Sequence, residues 1–109
     1  MAIQPNPKIV ALRKAAPEIY EVWMELYRQL KPHCALDDKT KELCYLSAMA
    51  AAGLPGGIPF HIKSAKEAGA TRAEVTSALL SGLPAVGNGV LEVMPTALEA
   101  MDDLYGAAE

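Results

Sequence analysis

The sequence predicts an all-α fold, and three observations support this prediction. About half of the 109 residues are apolar, whereas aromatic residues make up 6% of the chain. Small aliphatic side chains in this proportion are typical of closely packed helices. Apolar residues recur at helical spacing, and no alternating strand pattern of useful length is present. We expect one compact domain over residues 1–109, with about five to six helices.

The first elements are marked by prolines. Residues 1–15 contain Pro5 and Pro7 and are predicted to form an extended leader. Pro17 suits the first turn of a helix, and Pro32 ends the helical pattern that follows it. The apolar stripe of this helix consists of Ile19, Val22, Trp23, Leu26 and Leu30. We interpret Trp23 as a core or subunit-contact residue rather than a ligand-stacking one.

Two further helices are predicted on either side of a glycine- and proline-rich bend. Asp37 is expected to cap a helix over residues 39–52, because its carboxylate can accept from the free amides of the first turn. Gly53 supplies the C-terminal stop. After the bend, a third helix is expected to begin near Ile58 or Pro59 and to end before Gly69.

The C-terminal half is predicted to be helical with two interruptions. Thr71 and Glu74 form a capping box that opens a fourth helix, which Gly82 and the adjoining Pro84 should break. A last helical stretch is expected over residues 85–105, kinked or divided by Pro95. Its inward-facing residues are predicted to be Val90, Leu91, Met94, Leu98, Met101 and Leu104 or Tyr105.

Charge and cysteine content exclude several functional classes. The chain has a net charge of -3 and lacks the basic stripe expected of a nucleic-acid-binding protein. Cys34 and Cys44 form neither a CxxC pair nor a larger cluster, so we expect no metal site, no disulfide framework and no cofactor. We interpret both cysteines as reduced packing residues. Because the N-terminus lacks a signal-peptide pattern and no apolar run is long enough to span a bilayer, we expect a cytoplasmic protein without a membrane partner.

Glu42 and His61 are the candidate catalytic residues. At helical spacing Glu42 neighbours Tyr45, Leu46 and Met49, so its carboxylate is predicted to point inward. His61 lies on the apolar face of the third helix. If the two helices pack as an antiparallel pair, the carboxylate could orient the imidazole for proton transfer near neutral pH. A purely structural Glu–His pair is the alternative.

The segment LDDKTKELCYLSAMAAAGLPGGIPFHIKSAKEAGATRAEVTSALLSGLPAVG, residues 36–87, resembles the core of the carboxymuconolactone decarboxylase family, which includes alkylhydroperoxidase D. The closest matches are LDDKTKEL, HIKSAKEAGATRAEV and the GLPA turn. The resemblance implies an alkylhydroperoxidase D-like helical fold and a homo-oligomer, commonly a trimer or hexamer. In the peroxidase type, a glutamate, a CxxC pair and a histidine form the site. By that spacing Glu42 and His61 take the glutamate and histidine positions, and the two cysteine positions fall on Leu54 and Gly57.

The missing sulfurs argue against peroxidase chemistry, because a thiolate must attack the peroxide and a second thiol must resolve the sulfenic acid. Cys44 lacks a resolving partner in sequence. The decarboxylase branch of the family also works without the CxxC pair and carries a histidine on the corresponding helix. That branch usually lacks a glutamate at the position of Glu42, so the resemblance is mixed.

The bend suggests a place for an anionic substrate. Gly56 and Gly57 carry no side chains, and the amides of Gly57 and Ile58 lie near the positive end of the third helix. We predict that Gly56, Gly57 and Ile58 bind a carboxylate or a developing enolate, with a simple tight connector as the alternative. The sequence therefore favours a proton-transfer lyase or isomerase acting on a small carboxylated lactone or oxo acid. A non-catalytic oligomeric binding protein and a residual thiol activity through Cys44 are the other hypotheses.

Overall fold

The computed structural model describes residues 5–107, and in that part of the chain the regular structure is entirely helical. Six helices have nine or more residues, and α6 is a four-residue turn. Short 3₁₀ segments lie at Lys31–His33 and Gly87–Val93. The α-helices are α1 Pro7–Ala15, α2 Pro17–Leu30, α3 Asp38–Ala51, α4 Ile58–Glu67, α5 Arg72–Leu80, α6 Leu83–Val86 and α7 Met94–Tyr105. The predicted all-α class is confirmed.

The segment predicted to be an extended leader instead contains α1. Asn6 caps this helix by accepting from the amide of Lys8 at 3.0 Å, and Pro7 occupies the first turn. An Asn-Pro pair is a strong helix start, because the side chain satisfies a free amide and proline has the required φ. The leader prediction is therefore wrong for Pro7–Ala15, and residues 1–4 lie outside the described residues.

The ends of α3 and α4 follow the predicted capping residues. Asp37 accepts from the amide of Thr40 at 2.7 Å and opens α3. Both helices end at a glycine of positive φ, Gly53 at 67° and Gly69 at 98°. At the first of these, the Leu54 amide returns to the Met49 carbonyl at 2.9 Å, which satisfies a carbonyl at the helix end. The chain can therefore reverse direction within a few residues.

The core lies between α3, α4, α5 and α7, with the second 3₁₀ segment closing one side. The buried residues are Leu46, Ala50, Ile58, Ile62, Ala65, Ala70, Val75, Leu79, Val90, Val93, Ala97, Ala100 and Met101. In contrast, no residue of α1 or α2 is buried. These two helices pack against each other as a peripheral hairpin, and Arg13 lies over the ring of Tyr20.

The last helical stretch is divided, as expected, but its inward face differs from the prediction. Pro95 stands in the first turn of α7, where its missing amide costs nothing. Leu91 and Leu98, predicted to face inward, are 45% and 49% exposed. The 3₁₀ segment winds more tightly than an α-helix and shifts the phase of the stripe. Val93 and Ala97 therefore face the core instead.

Residues 72–105 form a run of helical segments that satisfies the length and composition of a membrane span. The expectation that no such run exists is therefore corrected. The run is not one straight helix, because Gly87 adopts a φ of 75° between α6 and the 3₁₀ segment. Leu79, Val93 and Met101 from this run belong to the protein core. Only 17% of its most apolar window is buried, and one such run, judged by length and composition, is weak evidence for a membrane location.

The capping box of α5 makes stability depend on pH. The pKa of the Glu74 carboxyl is held below its usual value, first by a hydrogen bond from Lys39 and then by the Thr71 amide. Because the folded pKa is the lower one, Glu74 stabilises the fold above the unfolded pKa and loses this effect as pH falls through the folded pKa.

Urea unfolding should show Glu74→Gln less stable than wild type at about pH 7, with the difference shrinking towards about pH 2. Exposed Glu99→Gln is the control, and a constant difference for Glu74→Gln would contradict the prediction.

Candidate active site

The packing of α3 against α4 brings Glu42 and His61 into contact. His61 Nδ1 lies 2.6 Å from Glu42 Oε2, and the two side chains are 26% and 17% exposed. The helices run in opposite directions, since Glu42 and Tyr45 meet His61 while Asp38 lies by Glu67. The structure thus places both predicted catalytic side chains at one point, partly shielded from water.

The hydrogen bond determines which nitrogen of His61 is available. An ionised carboxylate only accepts, so a neutral imidazole in this contact donates its Nδ1–H to Glu42 and keeps a lone pair on Nε2. Nε2 makes no hydrogen bond within residues 5–107. The pair therefore has the arrangement of an oriented general base, with the reactive nitrogen directed away from the carboxylate.

Two aromatic residues fix the plane of the imidazole. Tyr45 stacks on His61 with ring centroids 5.0 Å apart and an interplanar angle of 28°. Phe60 meets the same ring edge-on at 5.6 Å. Burial, followed by the charges of Glu42 and Cys34, raises the pKa of Tyr45, so its phenol stays protonated at neutral pH. The sequence placed Tyr45 beside Glu42 but gave no sign that it would stack on His61.

The glycines of the bend accommodate neighbouring side chains. A Cβ on Gly56 would lie 2.9 Å from Asn6 Oδ1, and a Cβ on Gly57 would lie 3.0 Å from Met49 Sδ. Asn6 thus reaches the site from the start of α1, which sequence reasoning missed. The Asn-Pro pair could have indicated this, because asparagine before proline is a typical helix N-cap, and capping fixes the orientation of its side chain.

Hydrogen bonding within the bend uses one of the amides that were predicted to bind an anion. The Ile58 amide donates to the Pro55 carbonyl at 3.1 Å, and both Gly57 and Ile58 are buried. Ile58 therefore cannot offer its amide to an anion while this turn is intact. Gly56 is partly exposed and lies against Asn6.

A polar cavity adjoins Glu42 on the side away from the bend. Its volume is about 320 Å³, and its lining carries two cationic and three anionic side chains. The lining residues are Lys31, Asp38, Lys41, Glu42, Ser64, Glu67 and Ala68. His61 is not among them, and the mixed charges give no preference for an anion. We therefore do not identify this cavity with the substrate position.

The positions that carry sulfur in the peroxidase type hold Leu54 and Gly57, with Leu54 47% exposed. Both cysteines of the chain are free. Cys34 is partly buried, whereas Cys44 is exposed, so the expectation that both are packing residues is wrong for Cys44. In the described residues no group of three histidine, cysteine, aspartate or glutamate side chains could hold a metal ion.

Comparison with known protein families identifies the family of the chain. Residues 17–103 match the model described as the Carboxymuconolactone decarboxylase family. This region contains Glu42, His61 and the bend between them, and it leaves α1 outside. Searches of curated proteins and of solved structures found no match.

We expect alanine substitutions at Gly57 and Gly89 to differ in their effect on stability. Gly57→Ala should destabilise the protein by about 1 kcal/mol, because Met49 Sδ would lie 3.0 Å from the added Cβ and would have to shift. Gly89→Ala is the matched control, since nothing lies within 4 Å of its added Cβ, and it should stay within about 0.5 kcal/mol of wild type. Chemical denaturation of both variants tests this, and equal stabilities would show that the bend tolerates a side chain.

Proposed function

We propose a proton-transfer function from the premise that this chain belongs to the carboxymuconolactone decarboxylase family, as the match over residues 17–103 shows. The proposed reaction is that of a lyase or isomerase acting on a small carboxylated lactone or oxo acid. The observation that carries the proposal is the 2.6 Å contact between His61 Nδ1 and Glu42 Oε2. A carboxylate that fixes the histidine tautomer is the usual way to prepare Nε2 for proton transfer.

In this proposal His61 is the catalytic residue and Glu42 orients it. Isomerisation would need Nε2 to remove a proton next to a carbonyl and return it at another carbon. Decarboxylation would break the carbon–carbon bond to the carboxylate, release carbon dioxide and leave the electron pair of that bond as an enolate. A protonated Nε2 would then deliver a proton to carbon, and the imidazole would regain one from water. Glu42 would stabilise the imidazolium that takes part in either reaction.

One observation favours this chemistry over thiol redox chemistry. Leu54 and Gly57 stand at the cysteine positions, and neither can attack a peroxide. Phe60 and Leu54 themselves are 42% and 47% exposed. A non-catalytic binding protein of the same fold is the second candidate, and the exposed apolar surface discussed below favours it.

Turnover of β-oxo acids and carboxylated γ-lactones tests the proposal. We expect His61→Ala to lose about a hundredfold or more in kcat/KM and Glu42→Gln at least about tenfold. The exposed second histidine provides the control His33→Ala, which should keep full activity. A Cys34→Ser, Cys44→Ser double variant should also keep full activity, which excludes a thiol mechanism.

Full turnover by His61→Ala would contradict the mechanism. If the wild-type protein converts none of these compounds, the binding-protein candidate is favoured instead. In that case a thermal-shift screen with the same compounds would decide whether the fold keeps a ligand site.

We also infer that the protein functions as a homo-oligomer, as a trimer or hexamer. Four aliphatic residues lie on one face of α2 and are between 53% and 73% exposed: Ile19, Val22, Leu26 and Leu30. The accessible surface of the chain is 6959 Å², against about 5,800 Å² for a compact monomer of this mass. The larger surface reflects the peripheral hairpin of α1 and α2, in which no residue is buried.

Light scattering after size-exclusion chromatography tests this inference. The wild-type protein should elute as a trimer or hexamer, and Val22→Asp should shift it towards monomer, because a charge in the centre of an apolar interface loses its hydration. Ser77→Asp adds the same charge at an exposed position of α5 and should leave the assembly intact. A monomeric wild type, or an unchanged Val22→Asp assembly, would contradict the role of this face.

A further inference from the structure

The side-chain amide of Asn6 has a defined orientation beside the candidate active site. Lys8 donates its backbone amide to Asn6 Oδ1 at 3.0 Å, and only the oxygen of the carboxamide can accept that bond. The oxygen therefore caps α1, and Nδ2 is the atom of the carboxamide that can donate to another group. Within residues 5–107, Nδ2 donates no hydrogen bond.

This nitrogen lies close to the reacting edge of His61. The position of a Cβ on Gly57 would be 3.4 Å from Asn6 Nδ2 and 3.6 Å from His61 Cδ2. The two atoms are therefore within about 7 Å of each other. Cδ2 is bonded to Nε2, the nitrogen that Glu42 leaves available. The missing side chain at Gly56 is what allows the carboxamide to come so near, because a Cβ there would lie 2.9 Å from Oδ1.

The spacing suits a small acid. One oxygen of such a molecule can accept a hydrogen bond of about 2.9 Å from Nδ2, while a carbon atom of the same molecule lies at Nε2. The Ile58 amide, an earlier candidate for this contact, already donates to Pro55. Asn6 Nδ2 is thus an uncharged donor near the imidazole, and Asn6 lies outside the matched region 17–103.

We propose that Asn6 Nδ2 binds a carboxylate or enolate oxygen of the substrate, opposite His61 Nε2. The inference rests on the proposed proton-transfer function and identifies the substrate-binding donor of that site. In this arrangement the N-terminal helix completes a pocket whose catalytic pair comes from α3 and α4. Asn6 would hold the oxygen on which negative charge develops, while His61 exchanges the proton.

The experiment is an NMR titration of ¹⁵N-labelled full-length protein with levulinate and with a carboxylated γ-butyrolactone. For the wild type we expect saturable shifts at the His61 ring and the Gly57 amide. Asn6→Asp and Asn6→Ser both keep an oxygen that can cap α1, but both lose the amide donor. Each should bind the probes about tenfold or more weakly, as expected for a lost hydrogen bond to a charged group.

Asn88→Asp is the matched control, because Asn88 is the other asparagine of the chain and is exposed on the 3₁₀ segment. It should bind like the wild type, and circular dichroism should show unchanged helix content in all three variants. If the wild type binds and Asn6→Ser binds equally well, the role of Asn6 is wrong while the proposed function stands. If the wild type binds neither probe, the proposed function fails and this inference fails with it.

Discussion

The packing of α3 on α4 is the constraint on which the rest of the site depends. Leu46 of α3 and Ile62 of α4 are fully buried in the core to which both helices contribute, and burial of such side chains is worth about 1.5–3 kcal/mol each. Glu42 and His61 lie on the same two helices and are partly exposed. A carboxylate that is only 17% exposed is costly without a partner, and the imidazole at 2.6 Å supplies one. The apolar contacts thus fix the geometry of the polar pair.

The bend that joins these helices explains how the chain differs from the thiol-dependent type that it resembles. At Gly57 the space for a side chain is bounded by Met49, Asn6 and His61. A cysteine at this position would place its Cβ 3.0 Å from Met49 Sδ, so Met49 would have to shift. At Leu54 the side chain is instead 47% exposed. Of the two positions, only Gly57 is therefore closely surrounded by other side chains.

Much of the fold could be predicted because it depends on short-range interactions. The cap at Asp37, the stop at Gly53 and the capping box at Thr71 each involve residues a few positions apart, so the local sequence contains both partners. Prediction failed where the phase of a helix depended on its surroundings. Leu98 lies on a plausible apolar stripe, yet the 3₁₀ segment before α7 turns it outward. No local pattern specifies that rotation, since it is set by how Val90 and Val93 enter the core.

The sequence by itself determined the helical class, the ends of α3, α4 and the start of α5, and the identity of the two ionisable residues on apolar faces. Their distance, the stacking of Tyr45 on His61 and the approach of Asn6 to the bend were decided by the tertiary structure. The physical reason is the range of the contacts. Helical periodicity shows which way a side chain points from its own axis, whereas the meeting of side chains from different helices depends on how those helices pack.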